Sequence, residues 1–380
     1  MRLSYKFSEL NHQFFVRRVI KAYDKKIEKR FKNRPDLKKS VDSETTKRHI
    51  ELYGKLGLPS SDKWLRLFTN MSGIADYRYV PEDLFFARIE RVLNNCERSN
   101  SELEDKNLLS KFVDKEYLPK IHLRYIRGLF YDEDYNFLTE DQAQQILQTD
   151  NGDIIGKKAV DSSGGHGVQP FYFNNGHYSS AKCDNLTISW IKEQGESYVI
   201  QEIQRQCAFS AQFNPTSVNT YRLTSLRLPW SGEVIITKSA MRIGVSANIV
   251  DNASSGGISI GLSREGELGE YAYEYYTLKS HKCHPVTKVV FKGQIHPYYK
   301  LMCDTIISQA KKIPNFNLIS WDVITDENGR VKILEANATG QGHDIHQFAF
   351  GSLFGEHTEQ LIDWIAQHVK FDTFKHFRTF

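Results

Sequence analysis

Hydrophobic and polar positions change their rhythm near residue 153. Before it the spacing is helical. In "NHQFFVRRVIKAYDKKIEKRFKNR", Phe14, Phe15, Val19, Ile20, Tyr23, Ile27 and Phe31 recur every three or four residues with basic side chains between them, which predicts one amphipathic helix. "SETTKRHIELYGKLG" reads as a Ser-capped helix closed by glycine, and "TEDQAQQILQTDNG" as a helix capped by Thr139. Residues 40 to 150 therefore read as mostly helical, punctuated by Pro59, Pro81 and Pro119. Beyond residue 153, "DIIGKKAV", "VQPFYF", "SYVIQEI", "NTYRLTSLRL", "EVIITKSAMRIG", "LISWDVIT" and "RVKILEANA" alternate or are rich in β-branched and aromatic residues, which predicts strands. Helices return at "YYKLMCDTIISQAKKI" and "HTEQLIDWIAQHV". The fold class is α+β, with antiparallel hairpins following a helical N-terminal region.

The most specific local signal is "LISWDVITDENGRVKILEANATGQGHD", residues 318 to 344. Asn328-Gly329 between alternating apolar runs predicts a two-residue type I′ hairpin. Counting outward from that turn sets Asp322 opposite Glu335, with Asn337 on the same face. Two carboxylates facing each other across a ladder repel, and a divalent cation would remove the conflict. With the amide of Asn337 they make a hard, all-oxygen set suited to Mg²⁺. His343 and His346 follow in a glycine-containing loop. Their spacing is poor for zinc, which leaves loop structure or substrate contact.

A second signal is "KKAVDSSGGHGVQPFYF", residues 157 to 173, a flexible hairpin tip between two strands. Glycines there let backbone N–H groups approach a phosphate. The segment is not a P-loop, because it lacks G-K-[ST] and leads into a strand; the dinucleotide fingerprint fails where Pro170 takes the third glycine position. Neighbours on a strand face opposite sides, so one of Lys157 and Lys158 should point inward.

Composition narrows the context. The chain has 380 residues, 40% apolar and 25% charged, enough for two or three packed subdomains. No apolar run is long enough for a membrane span, and the N-terminus lacks signal-peptide order, so the expected location is cytoplasmic. The five cysteines are scattered and never spaced C-x-x-C, which fits buried thiols. Residues 1 to 39 hold thirteen Lys/Arg against four Asp/Glu, so the formal +4 conceals a basic end of +9 and a remainder of −5. The basic helix could cover the body of the protein or lean peripherally on an anionic membrane or an acidic partner; no zinc finger or aromatic stacking motif supports nucleic acid.

A lysine-bearing strand with a glycine flap, followed by a W-D-V strand hairpinned to an L-E-A-N strand, resembles the ATP-grasp superfamily. The chain is most similar to its sugar-transfer-associated family, through "FNPTSVNTYRLTSLR", "AMRIG", "VDNASSGGISIGLSREGEL", "HPVT", "ISWDV" and "ILEANATGQG". The resemblance implies two α+β subdomains gripping ATP, over residues 101–205 and 206–380, behind a basic helical region 1–100. It assigns Lys158 and, upstream, Lys106 to the ATP phosphates, and Ser162, Ser163, Gly164, Gly165, His166 and Gly167 to the flap. Gln201, Glu202 and Gln204 fall at the adenine hinge, where backbone groups meet the base. Asp322, Glu335 and Asn337 match metal ligands for two Mg²⁺ ions. Arg222 and Arg242 divide between the γ-phosphate and an acceptor carboxylate. Ser320 departs from the dipeptide ligases, which have an arginine there. The implied activity is carboxylate–amine ligation through an acyl phosphate, joining an amino acid or amine to a uronic acid of a capsule or O-antigen polysaccharide. Two alternatives are a kinase acting on a sugar or polyol, and a nucleotide-binding partner docked on a glycosyltransferase through the basic helix.

Overall fold

The structure, a computed structural model, describes residues 2–94, 102–160, 167–245 and 256–369, with side chains from residue 12 onward. Two antiparallel sheets dominate it. The first holds β1 (Ile121–Ile126), β2 (Leu129–Tyr131), β3 (Phe137–Leu138), β4 (Ile154–Lys158), β5 (Gln169–Asn174), β6 (His177–Ser179) and β7 (Ser197–Glu202), in the order β3-β2-β1-β7-β4-β5-β6. The helices Glu140–Leu147 and Ile188–Glu193 bury Ala143, Leu147 and Ile191 against one face of it, with Leu123, Ile154, Phe171 and Tyr198.

Three of these strands fall inside the stretch expected to be helical. β1 and β2 turn through Arg127 and Gly128, both at positive φ (47° and 89°), which is a two-residue type I′ hairpin on a dipeptide that does not advertise one. The helix that follows has the capping expected of it: Thr139 accepts from the Gln142 N–H while the Gln142 side chain accepts from the Thr139 N–H.

The second sheet runs β13-β12-β11-β10-β8-β14-β15. Its strands are β8 (Thr220–Arg227), β9 (Val234–Ile236), β10 (Ser239–Ile243), β11 (Ile258–Leu262), β12 (Ala272–Glu274), β13 (Ser280–His281), β14 (Leu318–Thr325) and β15 (Val331–Asn337). "EVIITKSAMRIG", expected as one strand, is two. β9 and β10 lie along the same edge of β8 but their registers differ by one residue, with Thr237 and Lys238 between them. The helix Tyr299–Lys311 covers one face, where Met302 and Ile306 join Tyr221, Leu223, Met241, Trp321 and Val323 in a shared core.

The N-terminal helices are a layer of this same body. α1 (Arg2–Asn33) buries Ile27 and Phe31 with Trp64, Phe68 and Phe348, while α2 (Ser43–Gly54) sets Leu52 and Tyr53 against Leu226, Leu318 and Leu361. Burying such side chains contributes roughly 1.5–3 kcal/mol each, so covering the body is what the second half of α1 does. α2 is capped by Asp42, whose carboxylate accepts from the Thr45 N–H at 2.8 Å, rather than by Ser43; the chain reaches helical geometry one residue later than the carboxylate. Cys183, Cys207, Cys283 and Cys303 are free thiols, and Cys96 lies outside the described residues. Among the described residues no helix is long and apolar enough to cross a membrane.

Candidate active site

The geometry of the site begins in the β14–β15 hairpin. Its turn is a three-residue loop, Glu327-Asn328-Gly329, in which only Gly329 has positive φ (77°). Asp326 stabilises it: one carboxylate oxygen accepts from the Asn328 and Arg330 N–H groups (both 2.9 Å), the other from Arg330 Nε at 2.8 Å. That loop moves the register by one from the type I′ count. A bulge at Leu334 moves it back, so Val323 pairs with Ile333 but Asp322 pairs with Glu335. The two acids meet as counted, although the turn that was counted from is a different one.

Across the sheet the row continues. β8 sets Arg222 directly opposite Asp322, so Arg222, Asp322 and Glu335 stand side by side on three adjacent strands. Alternation explains why all three face the same way, because Tyr221, Leu223, Trp321 and Val323 between them are locked into the core on the other face. Arg222 Nε and Nη2 donate to the two oxygens of Asp322 at 2.9 Å each, and Arg242 Nη2 lies 2.7 Å from Asp322 Oδ2. The two guanidiniums hold the buried Asp322 carboxyl well below its ordinary range against the opposing effect of burial. The expected repulsion between Asp322 and Glu335 is thus offset by arginines, while Glu335 has Lys106 Nζ at 3.4 Å.

These groups line one cavity of about 1020 Å³ between the two sheets. Lys106, Gln201, Glu202, Gln204, Arg222, Arg242, Asp322, Glu335 and Asn337 all border it, joined by the apolar side chains of Ile155, Val168, Pro170, Ile203 and Leu334. The dimensions and the pairing of apolar walls with a few convergent charges are those of a ligand site. At the hinge, the Glu202 and Ile203 N–H groups are spent on the Lys120 and Asp153 carbonyls, and the Glu202 carboxylate accepts from Gln204 Nε2. No backbone bond among the described residues takes the Gln204 N–H.

One expected residue faces elsewhere. Lys158 is exposed and lies outside the cavity, whereas Lys157 lines it. Strand parity is the cause: Ile154 and Gly156 point into the core of the first sheet, where a Cβ on Gly156 would come within 2.5 Å of Tyr198 Oη, so Ile155 and Lys157 take the cleft face. Burial, and then the neighbouring Lys106, push the Lys157 ammonium down to about 8, with Glu335 opposing. Gly167, at φ 78°, lies against the Lys158 stem; Ser162, Ser163, Gly164, Gly165 and His166 lie outside the described residues. Ser320 does not border the cavity either. Its hydroxyl is buried in a ladder with Thr224 and Gln341.

The donor chemistry of Asp322, Glu335 and Asn337 fits a hard cation. Asn337 turns its NH₂ to the Ser320 carbonyl at 3.4 Å, so its side-chain oxygen is the atom that would face a cation, and two carboxylates with one amide would leave room for phosphate and water oxygens. Among the described residues no group of three or more His, Cys, Asp and Glu is placed to hold a metal. His343 and His346 are both buried, their rings 5.1 Å apart, and burial holds both neutral, His346 at about 4.

Sequence reasoning missed the contribution of α1. Lys26, expected on its solvated face, reaches inward to Glu82 (2.7 Å), Tyr275 Oη (3.2 Å) and Asp344 (3.3 Å), and Arg30 pairs with Asp344 as well. Tyr23 and Lys26 border a second cavity of about 330 Å³, whose walls include Arg222, Arg242 and Gly340 from the first. A basic residue two turns before the helix end gave no sequence cue, since its acids lie 56 and 318 positions away.

Among known families, the one described as sugar-transfer associated ATP-grasp matches the chain over residues 88–361. No curated protein matches. Solved structures with similar folds include the ATP-grasp ligase PsnB complexed with a phosphomimetic variant of its minimal precursor, Mg and ADP (11% identity, 73% of this chain and 61% of that one, TM-score 0.39). A biotin carboxylase–β-γ-ATP complex from Campylobacter jejuni (12%, 70% and 46%, 0.37) and an N5-carboxyaminoimidazole synthetase from Staphylococcus aureus complexed with ADP (9%, 63% and 46%, 0.36) are also similar. The chain spans less than two thirds of the length of each.

Proposed function

The chain belongs to the sugar-transfer associated ATP-grasp family, and from that membership we propose that it is an ATP- and Mg²⁺-dependent carboxylate–amine ligase. The observation that carries the reading is the single cavity in which Lys106, Lys157, Arg222, Arg242, Asp322, Glu335 and Asn337 converge beside an apolar slot and the Gln201–Gln204 hinge. The slot accepts the adenine. Lys106 and Lys157 reach the phosphates, and Asp322, Glu335 and Asn337 hold Mg²⁺, two ions in the arrangement that the family resemblance implies. When bound, Mg²⁺ supplies charge neutralisation of the phosphates.

Phosphoryl transfer asks the protein mainly for position and charge. An acceptor carboxylate oxygen attacks the γ-phosphorus and ADP leaves, giving an acyl phosphate; an amine then attacks the acyl carbon, phosphate leaves, and the amine loses a proton. Arg222 and Arg242 sit where they can pass from Asp322 to the transferring group and the acceptor. The flap residues 162–167 exclude water from the acyl phosphate. The acceptor of this reading is a uronic acid of a surface polysaccharide, placing the reaction in the cytoplasm. The exposed Phe14, with Arg17, Arg18 and Lys21 nearby on α1, suits a peripheral contact with membrane or a glycosyltransferase.

The test is incubation with ATP, Mg²⁺ and pools of sugar acids and amino acids. ADP and free phosphate that both depend on acid and amine support ligation. ADP with a stable phosphoester and no free phosphate identifies a kinase instead, and Glu335→Gln with unaltered turnover would remove the site from the mechanism.

A further inference from the structure

Only one face of α1 is used by the body of the protein. On that face Val16, Ile27, Arg30 and Phe31 are buried, and Lys26 turns in to Glu82 and Asp344. From residue 12 onward the helix has six other Lys and Arg side chains: Arg17, Arg18, Lys21, Lys25, Lys29 and Lys32. All six are exposed, and none makes a hydrogen bond or ion pair with another group among the described residues. On a helix of 3.6 residues per turn they fall within an arc of about 120° centred on Phe14, over a length of about 27 Å from Phe14 to Lys32. Phe14 itself is 70% exposed. The two carboxylates on this stretch of α1, Asp24 and Glu28, are both held by Lys63 from the helix Lys63–Ser72, at 2.5 and 2.8 Å. Seven cations against two carboxylates leave this surface at +5.

Such a row is unfavourable in the helix by itself. Arg17, Lys21, Lys25 and Lys29 follow one another at i, i+4, the spacing at which like charges destabilise a helix, and an anionic surface relieves the repulsion. The shape of the site selects among anionic surfaces. A helix that enters a nucleic-acid groove needs free flanks and side chains that read base edges. Here Lys63 reaches across from the neighbouring helix at one border, and between Phe14 and Lys32 the arc holds no Asn or Gln. With Val16, Ile27 and Phe31 packed down on the opposite side, the helix lies along the body and presents its charges to a plane. Lysines and arginines flanking an exposed aromatic ring are the composition of helices that lie in a membrane interface. α1 begins at Arg2, and by helical count the positions of Leu3, Phe7 and Leu10 fall on the same arc as Phe14, so the sequence of the stripe is apolar first and cationic after.

We propose that this face of α1 docks the protein on an anionic lipid surface, with the six cations over the headgroups and Phe14 at the boundary with the acyl chains. The proposal commits the peripheral contact named above to lipid, and it goes beyond the ligase reading, since it uses no group of the nucleotide cleft. It also gives a role to part of residues 2–87, which precede the family match. One consequence is positional. Tyr23 and Lys26, on the opposite face of the same helix, border the second cavity, so docking holds that cavity about one helix diameter, roughly 10 Å, from the headgroups, within reach of a substrate carried at the membrane surface.

The test is flotation of the full chain with vesicles of phosphatidylcholine alone or with about 30% phosphatidylglycerol, at about 0.15 M salt, where charges are screened over about 8 Å. Binding to the anionic vesicles should be at least tenfold tighter than to the neutral ones and should fall as salt is raised. Lys21→Glu combined with Lys25→Glu should weaken it tenfold or more. Lys182→Glu combined with Lys279→Glu, the same change of charge at two exposed lysines elsewhere, should stay within threefold of wild type. Phe14→Ser should weaken binding threefold or more while leaving its salt dependence intact. Every substituted side chain is exposed, so the variants should fold, with Mg²⁺–AMPPNP affinity within twofold of wild type as the check.

Absence of vesicle binding, equal binding to neutral vesicles, equal losses in the two charge-reversed pairs, or unchanged binding of Phe14→Ser would each overturn the proposal. So would tighter binding, at the same salt, of a duplex oligonucleotide or of polyglutamate, which would assign the face to nucleic acid or to an acidic protein. The vesicle readouts need no nucleotide. Absence of Mg²⁺-dependent AMPPNP binding in the wild-type protein would remove the ligase reading and leave this one standing.

Discussion

Lys157→Met, measured beside Lys158→Met, separates what the strand's parity dictates from what the motif alone suggests. In the folded protein the Lys157 ammonium is pushed from 10.5 down to about 8, first by burial in the cleft wall and then by Lys106, with Glu335 opposing. A depression of that size corresponds to a charging penalty on the order of 2–3 kcal/mol. The sign follows from linkage. Folded protein binds this proton less readily than unfolded chain, so the penalty is full below pH 8 and is relieved as pH rises from about 8 toward 10.5. Lys157→Met should therefore be more stable than wild type at pH 7, by on the order of 2 kcal/mol in urea unfolding, with the gain shrinking above pH 8.

The same group reports on the nucleotide. A polyphosphate beside Lys157 restores the ammonium, so binding at pH 8.5, where about a quarter of the apo lysines carry the proton, should take up about three quarters of a proton per site. Calorimetry of Mg²⁺–AMPPNP binding in buffers of different ionisation enthalpy measures that uptake. Lys157→Met should abolish most of it and weaken binding tenfold or more, whereas Lys158→Met should leave uptake and affinity within twofold. If Lys158→Met is the variant that loses affinity, or if proton uptake persists in Lys157→Met, the assignment of the cleft face to Lys157 is wrong.

Asp322→Asn removes the buried carboxylate charge that Arg222 and Arg242 share and should cost roughly 3–5 kcal/mol in denaturant unfolding. Because the folded carboxyl is held below its ordinary value, its contribution is present above about pH 4 and lost as pH falls, so the acid limb of the wild-type stability curve should flatten in this variant. Glu335→Gln should keep the fold within about 1 kcal/mol while reducing Mg²⁺-dependent nucleotide affinity at least tenfold, read by titration with and without the metal. Asp344→Asn removes the common partner of Lys26 and Arg30, so stability should fall by roughly 3–5 kcal/mol and trypsin should cut within residues 17–34 faster than in wild type; an unaltered cleavage rate would mean that the Asp344 cluster does not anchor α1.

The chemistry-bearing segments were legible because each is local. The β14–β15 hairpin is fixed by alternation and a glycine turn within twenty residues, so Asp322, Glu335 and Asn337 could be placed on one face before any tertiary contact was known. Even there the count succeeded through two compensating departures, a longer loop and a bulge at Leu334, neither of which has a strong sequence signature. β1 to β3 were not legible, since strands of two to six residues lack a periodic pattern, and Arg127 is an unusual residue for a type I′ turn.

What the sequence by itself determined is the set of residue types and their local order: a helical, basic N-terminus, a lysine pair before glycines, two arginines on separate strands, and two acids and an amide on a hairpin. Tertiary structure decided which of those groups share a space. Pairing of β14 with β8 brings Arg222 against Asp322 across 100 positions, the packing of Gly156 on Tyr198 turns Lys157 rather than Lys158 into the cleft, and the burial of Ile27 and Phe31 swings Lys26 into a second chamber. Local periodicity fixes the direction of a side chain relative to its own strand or helix; only the docking of that element against partners distant in sequence fixes what the side chain meets.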